Sequence, residues 1–88
     1  MFDVRLNRDA EKFYEKVDRK LKDRLKELFA VLAQNPVPVD AYDVKKISGR
    51  DNEYRIRLSS YRVIYRVDWD TSVVRIGVIE RRDEHTYE

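Results

Sequence analysis

Residues 53–69 read EYRIRLSSYRVIYRVDW, and this stretch decides the predicted fold. Apolar or aromatic side chains alternate with other residues on both sides of the Ser-Ser pair at positions 59 and 60. A period of two is typical of half-buried strands, so the stretch predicts two strands joined by a short turn. One face of each strand is apolar and the other is basic. The basic side chains are Arg55, Arg57, Arg62 and Arg66.

Four like charges on one sheet face repel one another unless carboxylates or an anionic partner balance them. Within this stretch carboxylates stand only at the ends, as Glu53 and Asp68. We therefore expect an anionic partner on the basic face. Taken alone, the pattern also fits arginines that lie over aromatic rings on an exposed sheet, and the two interpretations have about equal weight.

The tyrosines of the stretch share the parity of its aliphatic residues. Tyr54, Tyr61 and Tyr65 are therefore predicted to lie in the core. Sheets that bind RNA through stacking carry their aromatic side chains on the exposed face instead.

The residues before this stretch predict one strand and two helices. Residues 2–6 alternate as a strand, and Asn7 is a plausible helix N-cap. Apolar residues then recur at helical spacing over residues 8–17, and Asp18 is placed to cap a second helix that runs to about residue 34. Two prolines in three residues hold the following crossover extended.

The residues on either side of the basic stretch predict two more strands. Val44 and Ile47 favour a short strand before it, and residues 73–79 favour a long strand after it. In the long strand we expect one set of side chains to face the core and the other to face outward. The inward set is Val74, Ile76 and Val78, and the outward set is Val73, Arg75, Gly77 and Ile79. Gly77 fits either a β-bulge or close approach of a ligand backbone.

The predicted architecture is α+β within a single domain of residues 1–88. An N-terminal strand and a two-helix hairpin precede a mainly antiparallel sheet of three or four strands, with the helices packed on one face. The uncovered face is the basic one. It is therefore the expected binding surface.

The amino-acid composition excludes several kinds of catalytic and metal-binding site. The 88 residues include no cysteine, which excludes disulfides, thiolate metal sites and thiol nucleophiles, and a single histidine gives no basis for a metal site. We expect no cofactor. No apolar run is long enough for a signal peptide or a membrane span, so we expect a cytoplasmic protein without membrane contacts.

The order of elements, with YRIRL at 54–58, YRVIYRV at 61–67 and an arginine and a tyrosine at positions 81 and 87, resembles the RelE/ParE superfamily of toxins from type II toxin–antitoxin systems. The ending resembles the RelE branch. That resemblance implies a RelE-like fold and a metal-independent endoribonuclease, an mRNA interferase that cleaves translated mRNA in the ribosomal A site. Its implied partners are the ribosome, mRNA and a cognate RelB-like antitoxin, in a toxin–antitoxin hetero-oligomer.

Several site residues follow from matching the family pattern to this chain, and others from their neighbourhood in the sequence. The expected catalytic residues are Arg57, Arg62, Arg81 and Tyr87. The expected RNA-binding residues are Arg55, Arg66, Arg82 and His85. A slip of one residue in the alignment exchanges the roles of Arg81 and Arg82.

The chain departs from the family pattern at the two strand positions, Arg55 and Arg57, which are often lysines in RelE enzymes. Arginine stays protonated, so these side chains suit phosphate binding and charge stabilisation but are poor general bases. His85 is either an acid or base in their place or an exposed bystander. The alternative function is a non-catalytic or ParE-like toxin that acts through protein–protein contacts.

Overall fold

The computed structural model describes residues 1–82, in which two helices lie against one face of a five-stranded sheet. The strand order across the sheet is β1-β5-β4-β3-β2, and only the β1–β5 pair is parallel. This arrangement confirms the predicted α+β fold, with four strands after the helices. The elements are β1 Asp3–Leu6, α1 Arg8–Lys16, α2 Arg19–Gln34, β2 Asp43–Lys46, β3 Glu53–Leu58, β4 Tyr61–Asp68 and β5 Val73–Arg81.

Both helices begin at the predicted caps. The Asn7 side chain accepts a hydrogen bond of 2.9 Å from the backbone N–H of Ala10, and Asp18 accepts one of 2.8 Å from Leu21. Each bond satisfies a backbone donor that has no partner within the helix, which stabilises a helix by about 1 kcal/mol. Only two residues, Val17 and Asp18, separate the helices, which form a hairpin. Within residues 1–82, no helix is long and apolar enough to span a membrane.

The core lies between α2 and the inner face of the sheet. Leucines at four positions of α2 are buried at helical spacing, because only one stripe of the helix faces the strands. The strands contribute alternate residues from the opposite side. The buried members of this core are Leu21, Leu25, Leu28, Leu32, Ile56, Leu58, Val63, Tyr65, Val67, Val74, Ile76 and Ile79, together with Ala10 of α1.

Tyr65 joins the sheet to the crossover that follows α2. Its ring is buried, and its hydroxyl donates a hydrogen bond of 2.7 Å to the carbonyl oxygen of Pro36. Burial raises the pKa of Tyr65 above its ordinary value, and Tyr54 adds to the shift. The rings of Tyr54 and Tyr65 stack at 5.7 Å between centroids. The prediction that the tyrosines belong to the core is confirmed, since Tyr54 and Tyr61 also pack against it.

A β-bulge at Gly77 changes the parity of β5. Ile64 pairs with Val78, whereas the next residue of β4, Tyr65, pairs with Ile76, so Gly77 is the extra residue on β5. After the bulge the two faces are exchanged relative to a regular strand. The prediction that Val78 faces inward and Ile79 outward is therefore wrong: Val78 is 39% exposed and Ile79 only 5%. Of the two explanations for Gly77, the bulge is the one present.

Candidate functional site

The outer face of the sheet, opposite the helices, carries three rows of side chains that run across the strands. The register aligns these rows because directly paired residues of neighbouring strands point to the same face. We name them the upper, middle and lower rows. The upper row is Asp43, Arg57, Arg62 and Glu80; the middle row is Lys45, Arg55, Ile64 and Val78; the lower row is Glu53, Arg66, Arg75 and Arg5.

Two ion pairs balance part of the charge in the upper row. The Nε atom of Arg62 lies 2.6 Å from a carboxylate oxygen of Glu80, and the Nε atom of Arg57 lies 3.9 Å from Asp43. These carboxylates come from β5 and β2, outside the basic stretch. Carboxylates lie only at the ends of the two basic strands in the sequence. In the folded sheet, the neighbouring strands add two more carboxylates to the same face.

Arg55 has the most restricted guanidinium of the face. Its Nε and Nη2 atoms are buried and have no hydrogen-bond acceptor within residues 1–82. Desolvation lowers the pKa of Arg55, and the charges of Arg57, Arg62 and Arg82 lower it further, while Asp43 opposes them. An arginine titrates so far above neutral pH that Arg55 remains cationic. Its surroundings are thus already rich in positive charge and favour the approach of an anion.

The two arginines at the end of β5 lie on opposite faces. Arg81 pairs with Tyr61, and its guanidinium carbon lies 5.9 Å from the centre of the Tyr61 ring, on the side of the helices. Arg82 lies two residues after Glu80 and therefore points to the same face of the sheet. It is near enough for its charge to lower the pKa of Arg55. Its Nη1 atom also donates to the carbonyl oxygen of Ser59 at 3.1 Å, and its backbone N–H donates to Ser60.

The structure thus brings together four of the predicted site residues. Arg55, Arg57, Arg62 and Arg82 form what we call the basic cluster. Arg66 lies in the lower row, four residues along β4 from Arg62, which corresponds to about 13 Å for an extended strand. Arg81 lies on the other face. The predicted residues His85 and Tyr87 are outside the described part of the chain.

An apolar strip lies beside Arg55 in the middle row, between Arg62 and the arginines of the lower row. It consists of Ile64, Val78 and the bulge residue Gly77. The bulge places Val78, in place of Gly77, directly opposite Ile64, so that two apolar side chains stand side by side. Arg66 and Arg75 stand directly opposite each other beside it, and neither has a carboxylate within 4 Å among residues 1–82.

Sequence reasoning missed the two carboxylates of the upper row. Asp43 belongs to a short edge strand whose register is set by the loop of residues 47–52, and no local pattern reveals its partner. Glu80 was missed because regular alternation after Gly77 places it on the inner face. The available signal was the glycine itself, since a glycine inside a strand often marks a bulge.

The basic cluster can bind phosphate groups and stabilise negative charge. A guanidinium offers a planar fork of donors that matches phosphate oxygens and keeps its charge throughout a reaction. Among residues 1–82, no three histidine, aspartate or glutamate side chains are grouped as ligands for a metal ion. The face therefore offers cations, two carboxylates and an apolar strip as its binding chemistry.

Comparison with known proteins identifies the family. Residues 1–85 match the model of the ParE toxin of type II toxin–antitoxin systems. The chain belongs to the RelE/ParE toxin superfamily. A toxin named RelE1 from Methanocaldococcus jannaschii is 40% identical over 60 residues, which cover 68% of this chain and 67% of that protein.

Solved structures relate this toxin to the RelE branch. The RelE–RelB complex from Pyrococcus horikoshii matches with a TM-score of 0.86 at 30% identity, covering 94% of this chain and 97% of that one. The RelB–RelE complex of Methanococcus jannaschii gives a TM-score of 0.68 at 25% identity, with 90% and 89% covered. Isolated Escherichia coli RelE shares the fold, with a TM-score of 0.80 at 22% identity and coverage of 96% and 87%. The chain is thus a RelE-type toxin of a toxin–antitoxin system.

Proposed function

We propose that this RelE-type toxin is a ribosome-dependent endoribonuclease that cleaves translated mRNA in the A site. The observation that carries the proposal is the basic cluster, in which four guanidiniums converge on the sheet face that the helices leave open. Only two carboxylates accompany them in the upper row, so the cluster keeps a net positive charge. A phosphodiester backbone is an anion that fits such a surface.

The cluster suits the central task of RNA cleavage. RNA supplies its own nucleophile in the 2′-hydroxyl, and the pentavalent phosphorane that forms carries extra negative charge. In our proposal Arg57 and Arg62 bind the non-bridging oxygens of the scissile phosphate. Arg55 supports them through its charge, since two of its nitrogens are already buried.

We assign to Arg82 the phosphate contact that the end of β5 contributes. The family resemblance matches this role to Arg81, but the Arg81 guanidinium lies beside Tyr61 on the helix side. Arg82 follows the parity of the outer face and neighbours Arg55. For Tyr87, the proposed role is stacking on a base of the message or proton exchange with the 2′-hydroxyl, and His85 is a second proton donor.

The experiment is cleavage of a translating message in a cell-free system, with the cut positions mapped by primer extension. Wild type is compared with Arg62→Ala and Tyr87→Ala, and with Arg19→Ala as a matched control, because Arg19 begins α2, away from the outer face. Cuts at A-site codons that disappear in the first two variants and persist in the third support the proposal. A folded wild type that makes no cuts on ribosomes contradicts it.

A RelB-like antitoxin is the proposed inhibitor, since the relatives from P. horikoshii and M. jannaschii were solved as RelE–RelB complexes. The outer face fits an amphipathic segment with acidic residues, because its apolar strip runs between arginines on both sides. Val78→Asp is expected to weaken this binding by placing a charge in the strip. A titration of toxin with antitoxin measures the difference, with Val39→Asp as the charge-matched control, because Val39 is exposed but lies in the crossover between α2 and β2.

A second candidate function is a ParE-like toxin that acts on its target through protein contacts. Two observations favour it: the matching family model is that of the ParE toxin, and both strand positions carry arginine in place of lysine. Under this hypothesis, growth inhibition persists when Arg62 and Tyr87 are replaced. Loss of toxicity in step with loss of cleavage contradicts it.

A further inference from the structure

Glu80 is placed among the arginines of the upper row by the bulge at Gly77. In a regular strand its side chain would face the helices together with Ile76 and Val78. With one residue inserted, Glu80 pairs across the strands with Arg62 on the outer face, and their side chains form the 2.6 Å ion pair. The Glu80 side chain remains 41% exposed, so a bound molecule can reach its carboxylate.

The charged groups that face Glu80 are mainly cationic. Arg62 is its direct partner on β4, and Arg57 follows one strand further on β3. Arg82 stands two residues further along the chain, directly after β5. Asp43 is the only other carboxylate of the row and lies at its opposite end, on β2. The helices are on the other face and add no charge here. The row therefore offers a carboxylate beside a phosphate-binding arginine.

The proposed reaction requires such a base, and the basic cluster does not supply one. Arginine stays protonated and does not accept a proton from a 2′-hydroxyl. We propose that Glu80 is the general base that deprotonates the 2′-hydroxyl of the nucleotide at the cut site. This inference rests on the proposed function and names the residue that completes its chemistry.

The step balances in protons and bonds. The Glu80 carboxylate takes the proton of the 2′-hydroxyl as its oxygen forms a bond to phosphorus. The bond between phosphorus and the 5′-oxygen breaks, and that oxygen takes a proton from water or from a side chain of the tail. The products are a 2′,3′-cyclic phosphate and a 5′-hydroxyl end. Glu80 then releases its proton to solvent, and no metal or co-reactant is consumed.

Asp43 is the competing carboxylate, and its geometry fits the role less well. It stands on the edge strand β2, 3.9 Å from Arg57 and two strands away from Arg62. Glu80 is flanked by Arg62 and Arg82, two arginines to which we assign phosphate contacts. A base must stand within hydrogen-bond reach of the hydroxyl next to that phosphate.

The test is single-turnover cleavage of mRNA on pre-bound ribosomes across a pH series, with wild type, Glu80→Gln and the control Glu15→Gln. Glutamine keeps an oxygen that accepts the Arg62 hydrogen bond but cannot take the proton. Glu80→Gln is expected to lose roughly 10² to 10⁴-fold in rate, the usual contribution of a general base. Its remaining rate should rise with pH as hydroxide replaces the base, whereas wild type stays level near neutrality. Glu15→Gln makes the same change at an exposed glutamate of α1, on the side of the helices, and should match wild type.

The possible outcomes distinguish a failure of the role of Glu80 from a failure of the proposed nuclease function. An active wild type with an equally active Glu80→Gln variant overturns the role of Glu80 and leaves the nuclease intact. A slower variant whose pH dependence equals that of wild type also overturns it, since Glu80 would then only position Arg62. A wild type that binds ribosomes without cutting overturns both proposals. The 3′ ends of the product should carry the cyclic phosphate.

Discussion

The opposite placement of the two arginines at the end of β5 predicts that they contribute differently to RNA binding. The perturbation is Arg82→Gln compared with Arg81→Gln, two changes of equal charge at adjacent positions. Arg82 belongs to the basic cluster, whereas Arg81 lies over the Tyr61 ring. Only the first substitution is expected to remove a phosphate contact.

The magnitude follows from counterion release. With single-stranded RNA, each phosphate contact contributes about 0.7 to the slope of log K against log salt, so four arginines give a slope of about −2.8 and three give about −2.1. Raising salt from about 50 to about 200 mM then weakens wild-type binding by about 50-fold and Arg82→Gln by about 18-fold. Arg81→Gln should keep the wild-type slope. It should instead lose about 0.5 to 1 kcal/mol of stability, because its cation–π contact is exposed.

The assay is fluorescence anisotropy of a short RNA made uncleavable by 2′-O-methyl groups, measured over this range of salt. Thermal unfolding of each variant provides the control for folding. Equal slopes for Arg82→Gln and wild type, with a reduced slope for Arg81→Gln, would refute the reasoning. Arg81 would then reach the outer face when RNA is bound, as the family resemblance implies.

The other predictions concern stability. Tyr65→Phe should cost about 1 to 2 kcal/mol, measured by urea unfolding, because a buried carbonyl loses its donor. Tyr54→Phe should cost less, because the Tyr54 hydroxyl makes no side-chain hydrogen bond within residues 1–82. Because burial raises the pKa of Tyr65, its stabilising contribution is present below about pH 10 and is lost as pH rises further, so Tyr65→Phe should flatten alkaline unfolding. Asn7→Ala should cost about 1 kcal/mol through loss of the α1 cap, and an undiminished melting temperature would contradict this. Gly77→Ala should change stability by less than about 1 kcal/mol, since its Cβ would meet the nearest carbonyl at an ordinary 3.7 Å; a loss of several kcal/mol would show that the bulge needs glycine.

Most of the fold could be predicted from the sequence because its local signals agree with one another. Asn7 and Asp18 mark the helix starts, and the alternation of residues 53–69 gives two strands and their faces. The side on which the helices pack follows from these patterns. The parallel pairing of β1 with β5 could not be predicted in the same way, because it joins the two ends of the chain and no local pattern encodes it.

The candidate site was predicted less completely, because it depends on contacts between strands. Arg55, Arg57 and Arg62 were found from alternation on two strands joined by a tight turn, where the register is fixed locally. Asp43 and Glu80 lie on the strands next to these two, where the register depends on the loop of residues 47–52 and on the bulge at Gly77. A periodic pattern gives the faces of a strand only until the first irregularity, and β5 has its irregularity at Gly77.

The bulge connects the fold to the chemistry of the outer face. One inserted residue turns Val78, Glu80 and Arg82 outward and turns Ile79 into the core. Without it, the same sequence would bury a glutamate near the helices and would present Ile79 beside the arginines. A buried, unpaired carboxylate costs several kcal/mol, so the bulged register is favoured by the energetics of folding alone. The same register gives the cationic face the ion pair between Arg62 and Glu80 and a candidate base. It also adds side chains of β5 to those of β3 and β4. The acid–base character of this face therefore depends on strand parity as much as on which residues the chain contains.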